Sequence, residues 1–307
     1  MLRSTLAALA AAAGIFLAAT PTVFAQDEAT ETPEGAEVTV QGSYADVNGL
    51  HMYYEIHGSG EPLVVLHGAY MTIEWMGDLI PELAKSRQVI AVELQGHGHT
   101  ADIDRPLTYE AMADDVAALL DELGIEKADM FGYSMGGGVA MQVAIRHPER
   151  VDKLISMSMP YNSNGYYPGM MEFFETITPE MFAGSPMETE FQRFNPDNPD
   201  GFATLVTKLA TLDTTVQDWS PETMQAITAP TLLIFGDSDV ITLAHAVEMF
   251  GLRGGNVNGD IVGLPESQLA IVPGTSHTSV ISRVNILVPT ITEFLDDTVP
   301  PSFMSPQ

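Results

Sequence analysis

Gly132-Tyr133-Ser134-Met135-Gly136 joins two segments of different character. Before it, Met130–Tyr133 is a short apolar run of the buried-strand type. After it, Met135–Arg146 is rich in small and apolar residues and stops before Pro148. A strand that passes directly into a helix needs a sharp turn. The glycines flanking Ser134 permit that turn, which projects the serine hydroxyl above the sheet edge. A serine that did no more than cap the helix would not require glycine on both sides. Gly137 and Gly138 then allow the helix to lie close to neighbouring strands.

Outward from this junction the chain alternates strands and helices. Val38–Val47 and Leu50–His57 have β-rich, alternating character and meet at Asn48-Gly49, a strong hairpin signal. Short apolar runs follow at Leu63–Leu66, Val89–Val92, Leu154–Met157, Thr231–Phe235 and Leu269–Val272. The Tyr109–Leu123 segment sets Met112, Val116, Leu119, Leu120 and Leu123 on one helical stripe, with Gly124 as its stop. Ile286–Leu295 reads as the last helix. The pattern predicts the α/β class: a mostly parallel sheet covered on both faces, behind an antiparallel N-terminal hairpin.

Residues 160–229 break the alternation. They hold no good buried strand but accumulate Tyr161, Tyr166, Phe182, Phe191 and Phe202, and Pro179, Pro186, Pro196 and Pro199 cut them into pieces. We read a small helical insertion whose aromatics mainly pack on one another, placed over the edge where parallel sheets bind ligands. The glycines at 251, 254, 255 and 259 form no phosphate cradle, so 251–266 reads as a long surface loop.

The whole chain has 307 residues, with 41 Asp plus Glu against 12 Lys plus Arg and a net charge of −29. Such a chain has no general affinity for phosphate backbones, which excludes a nucleic-acid partner. The 45% hydrophobic fraction is that of a globular protein. With no cysteine there is no disulfide, thiolate metal site or cysteine nucleophile. Residues 1–25, with Arg3, an apolar Leu6–Ala19 and Val23-Phe24-Ala25, predict a cleaved signal peptide and export to the periplasm or medium, leaving no stable membrane span. Residues 26–37 read as an acidic linker, 38–298 as the folded domain and 299–307 as a loose tail.

A serine needs a base to act as a nucleophile at neutral pH. Of the eight histidines, His277 follows the last strand in a Pro273-Gly274-Thr275-Ser276 loop at the carboxyl edge. Asp237 and Asp239 follow Thr231–Phe235 at the same edge, and a carboxylate there can orient an imidazole. His97-x-His99 lacks further ligands of metal-site spacing and reads as a hydrogen-bonded loop, so no metal is expected.

With these residues in place, the chain resembles the α/β-hydrolase superfamily from about Tyr44 to Asp297. The matches are His67-Gly68, Gly96-His97-Gly98, the Ser134 elbow, Gly236-x-x-Asp239 and Pro273-Gly274…His277. The resemblance implies an α/β-hydrolase fold with a helical cap. It implies Ser134 as nucleophile, His277 as base and Asp239 as the acid, with Asp237 as second choice. It also implies an oxyanion hole from the backbone N–H groups of Ala69 and Met135. Glu93 and Thr100 depart from the Asp and Ser more usual around the Gly96-His97-Gly98 loop. Tyr70, Met71 and Trp75 are candidates for an apolar substrate pocket.

The expected activity is cofactor-free hydrolysis of a small carboxylic ester through an acyl-enzyme. The same triad would also support lactone hydrolysis, carbon–carbon bond hydrolysis or perhydrolysis. A non-catalytic hydrolase-like binding protein is the reading from another class.

Overall fold

The computed structural model describes residues 41–215 and 219–298. The expected signal peptide over 1–25, linker over 26–37 and tail over 299–307 lie outside the described residues. Eight strands form one sheet: β1 (Gln41–Val47), β2 (Leu50–Gly58), β3 (Pro62–Leu66), β4 (Gln88–Val92), β5 (Ala128–Tyr133), β6 (Val151–Met157), β7 (Thr231–Ser238) and β8 (Gln268–Ser276). Their spatial order is β1-β2-β4-β3-β5-β6-β7-β8. The β1–β2 and β2–β4 pairs are antiparallel and every other pair is parallel. The hairpin turns at Asn48 and Gly49, both with positive φ, as Asn-Gly predicts.

The helices are α1 (Leu79–Leu83), α2 (Tyr109–Glu122), α3 (Met135–Arg146), α4 (Met170–Phe174), α5 (Pro186–Phe194), α6 (Gly201–Thr214), α7 (Pro221–Ala226), α8 (Leu243–Leu252), α9 (Gly259–Val262) and α10 (Val284–Leu295). None of them is long and apolar enough to cross a membrane. Helix α9 corrects one expectation. Asn258 caps a helical turn by accepting the Asp260 N–H, so 251–266 is not loop throughout.

Leu63–Leu66 in β3 and Val89–Val92 in β4 are apolar at every position because both faces are covered. Alternation along β3 and β4 sends Val64, Leu66, Ile90 and Val92 into one core with α2 and α3. Leu63, Val65, Val89 and Ala91 enter a second core with α1 and α10. Between β6 and β7 run α4, α5, α6 and α7. Their buried Phe191, Phe202, Leu205 and Leu209 belong to the first core rather than to a separate one.

Parallel pairing fixes where the loops emerge. Leu66 lies opposite Gly132, Gly132 opposite Ser156, and Met157 opposite Ile234. The segments following β3, β5, β6, β7 and β8 therefore all open at one edge.

Candidate active site

Ser134 leaves β5 with φ 53° and ψ −120°, a conformation that costs a non-glycine residue about 1–3 kcal/mol. Its N–H donates to Met157 O at 2.8 Å, and its carbonyl accepts the Gly138 N–H at 3.2 Å. The flanking glycines serve close approach rather than rotational freedom. A Cβ at Gly132 would lie 2.0 Å from Gly136 O, and one at Gly136 would lie 2.4 Å from Leu66 O.

The strands bring Ser134, His277 and Asp239 into one relay. Ser134 Oγ is 3.0 Å from His277 Nε2, and His277 Nδ1 is 2.9 Å from Asp239 Oδ1. Asp239 accepts, so Nδ1 carries the proton and Nε2 faces the serine hydroxyl. Burial alone would push the Asp239 carboxyl up. The bonds from His277, the Ser158 hydroxyl and the Gly236 N–H outweigh it and hold the carboxyl below its ordinary value. Asp237 takes another position: it is exposed and accepts the Gly274 N–H at 2.8 Å and the Thr275 N–H at 3.1 Å. It thus ties β7 to the end of β8, since Pro273–Ser276, expected as loop, is strand up to the residue before His277.

Two contacts escaped sequence reasoning. The Ser158 hydroxyl donates to Asp239 Oδ2 at 2.5 Å, and Tyr133 Oη donates to His277 O at 2.7 Å. Neither residue belongs to the Ser134, His277 and Asp239 set, and only the fold brings them to it.

Met135 opens α3, so its N–H belongs to the helix start and has no partner within the helix. Ala69 lies in a turn closed by Met71 N–H to Gly68 O at 3.3 Å. Two buried histidines anchor that turn. His67 Nε2 accepts the Leu94 N–H, and its Nδ1–H donates to Gly68 O. His97 Nε2 accepts the Tyr70 N–H, and its Nδ1–H donates to Gln95 O. Burial lowers His67 to about 3 and His97 to about 4, so both stay neutral and keep these tautomers. His99 instead pairs with Glu93, which also accepts the His99 N–H. Thr100 Oγ1 donates to Glu93 O and accepts the Tyr53 N–H. Among the described residues no cluster of three or more His, Asp or Glu is arranged to hold a metal.

Tyr70 stacks on Phe182 with ring centroids 4.9 Å apart, which brings the segment between β6 and β7 over the site. Met71 Sδ lies near Gly68. Trp75 is half-buried in the helical turn Ile73–Met76 and makes no ring contact with the Tyr70–Phe182 stack. The sheet's other edge holds a cleft of about 420 Å³ beside Thr228–Pro230 and Arg253. Arg253 donates there to Thr231 Oγ1, Met224 O and Ala229 O. That cleft is far from Ser134 because β7 begins there and ends at the serine's edge.

Comparison with known proteins agrees with this fold. Residues 61–224 match the alpha/beta hydrolase fold family. The chain is 41% identical over 113 residues to the 2-hydroxymuconate semialdehyde hydrolase of Pseudomonas sp. (strain CF600), covering 36% of this chain and 40% of that relative's length. It is 27% identical over 262 residues to the pimeloyl-[acyl-carrier protein] methyl ester esterase of Legionella pneumophila (strain Paris), covering 80% of this chain and all of that one. Among solved structures, a thermophilic esterase from Thermogutta terrifontis superposes with a TM-score of 0.63 at 22% identity, covering 84% of this chain and 98% of the other. The chain belongs to the alpha/beta hydrolase family.

Proposed function

We propose that this protein is an exported serine hydrolase that cleaves small carboxylic esters. The observation that carries the reading is the continuous relay from Ser134 Oγ through His277 to Asp239. Ser134 attacks the ester carbonyl while His277 Nε2 takes its proton. The C=O electrons move onto oxygen, where the Met135 and Ala69 N–H groups stabilise them. Collapse expels the alkoxide, which leaves as the alcohol with the proton from His277. Water then repeats the sequence on the acyl-enzyme, releasing the acid and restoring Ser134. Asp239 stays ionised throughout and stabilises the imidazolium. No cofactor enters any step.

Ester cleavage is favoured over the other reactions of such a relay because a relative matched along its whole length is a methyl ester esterase. Export rests on the character of residues 1–25.

The test is labelling with a fluorophosphonate followed by a substrate panel. Wild type labels, Ser134→Ala does not, and Ser134→Ala loses on the order of 10⁴–10⁶ in kcat on its best ester. Equal labelling of both proteins would remove Ser134 from the mechanism. Turnover confined to lactones, diketones or peroxide would replace the ester assignment.

A further inference from the structure

Helix α6 carries an acid on its buried face. Leu205, Leu209 and Leu212 are buried, and Asp213 follows Leu209 at the spacing that continues the stripe. The Asp213 side chain is surrounded by protein yet keeps accessible surface. It lines a small cleft with Asn162, Tyr166, Met171 and Thr215. The free volume there is about 10 Å³, room for roughly one water.

The surroundings tie this cleft to the site. Asp213 interacts electrostatically with His277, Tyr70 and Tyr166. The Tyr70 hydroxyl is buried without a hydrogen-bond partner among the described residues, and Tyr70 directly follows Ala69. The other buried aspartates are all satisfied. Asp115 is held by Arg105 and Asn48, Asp129 by Arg87, and Asp239 by His277 and Ser158. Asp213 has no hydrogen bond or ion pair to any described residue. A structural acid at such a place would be paired, because an unpaired enclosed carboxylate is costly.

We propose that Asp213 is a specificity residue that accepts a hydrogen bond from a hydroxyl or ammonium group carried by the substrate beside its ester, with the Tyr70 hydroxyl as second polar contact. The inference rests on ester hydrolysis at Ser134 and names its substrate class. The cleft accepts one small donor group in place of a water, and the carboxylate repels an anionic substituent. A wholly apolar pocket, the expectation from Tyr70, Met71 and Trp75, would have no use for this acid.

Burial pushes Asp213 up to about 7, with His277 pulling the other way. The charged or titratable groups facing it are His277 from the loop after β8, Tyr70 from the loop after β3 and Tyr166 from the loop after β6. Asp239, after β7, acts on Tyr166 rather than on Asp213. The carboxyl is therefore mostly neutral at pH 6 and mostly ionised at pH 8. Selection for a cationic donor grows across that interval. A ratio between two esters cancels every group that both need.

The test is kcat/KM on matched esters. Phenyl propanoate, 3-hydroxypropanoate, 3-aminopropanoate and hemisuccinate vary the acyl side. Ethyl, 2-hydroxyethyl and 2-(dimethylamino)ethyl butanoate vary the alcohol side. On one of the two sides, wild type at pH 8 favours the donor-bearing esters over the plain one about tenfold, the worth of one charge-assisted hydrogen bond. Asp213→Asn, which keeps the shape, loses most of the ammonium preference. Asp213→Leu loses both preferences and gains on hemisuccinate relative to the plain ester. The ammonium preference in wild type is smaller at pH 6 than at pH 8. Ratios unchanged in both variants on both sides, with Ser134-dependent turnover intact, overturn the role of Asp213. Absence of Ser134-dependent turnover on every ester instead removes the ester reading, and this inference with it.

Discussion

Ser158 shows how a single hydroxyl can set the state of the site. It is fully buried behind Asp239, with φ 57°, and its N–H donates to Ile234 O at 2.8 Å. The strained backbone is held so that the hydroxyl points at Asp239 Oδ2. Removing it leaves a buried carboxylate with one fewer donor, and a hydrogen bond to a charged group is worth about 1.5–3 kcal/mol. The pH dependence follows from the direction of the shift. The folded Asp239 carboxyl lies below its ordinary value, so its stabilisation is complete above the unfolded carboxylate range, near pH 4. It disappears as pH falls through the folded value. Ser158→Ala is therefore expected to lose about 1.5–3 kcal/mol at pH 7 by urea unfolding, and less as the pH drops below about 4. It also lowers kcat more than KM, because Asp239 acts on His277 rather than on bound substrate. A loss independent of pH would assign Ser158 to packing alone.

At the scale of elements, the junction of β5, α3 and β3 decides the geometry. Gly136 lets the first turn of α3 rest against the end of β3, within reach of Leu66 O and His67 O. The Met135 N–H starts that helix and the Ala69 N–H follows that strand. Their separation is therefore set by how closely the two elements approach. Gly136→Ala places a Cβ 2.4 Å from a backbone oxygen that no rotamer change can move. Overpacking of this kind costs roughly 1–3 kcal/mol. The variant is expected to melt lower, by roughly 2–12 °C, and to lose at least tenfold in kcat through a displaced donor pair. Wild-type kcat in a destabilised Gly136→Ala would separate the stability of the junction from its function. This junction was legible in the sequence because backbone sterics are local: two glycines, a strand pattern and a helix pattern stand side by side. Strands β3 to β7 were legible for a similar reason, since burial on both faces leaves apolar runs, and β1 and β2 were legible from alternation on either side of Asn48-Gly49. Asp213 was not. Its helix lies inside the segment between β6 and β7, and only folding reveals that this face turns toward the loops after β3 and β8. The signal available was an acid continuing the apolar stripe of Leu205 and Leu209. The helical turn α9 was missed because its cap, Asn258, stands in a glycine-rich stretch that reads as loop.

At the scale of the molecule, the −29 charge has to be set against the ion pairs. Arg3 lies outside the described residues. Of the remaining Lys and Arg, all but Arg253 and Arg283 pair with a carboxylate. Arg253 and Arg283 donate to backbone carbonyls, and Arg253 also to Thr231 Oγ1. The bases are thus already engaged, and among the described residues most acids lie outside these pairs with Lys and Arg. Added salt acts on both populations. It weakens exposed ion pairs, each worth about 0–1 kcal/mol. It also screens repulsion among the unpaired acids, over a Debye length that shrinks from about 30 Å at 0.01 M to about 10 Å at 0.1 M. Pairs at contact distance are screened less than charges spread over the surface, so the second effect wins. The melting temperature is expected to rise by several degrees between about 0.01 and 0.5 M salt, at about 2–4 °C per kcal/mol for a domain of this size. NaCl and KCl should act alike if screening is the cause. A melting temperature that is flat or falls over this range would show that the paired bases, not the excess acids, dominate the electrostatics of the fold.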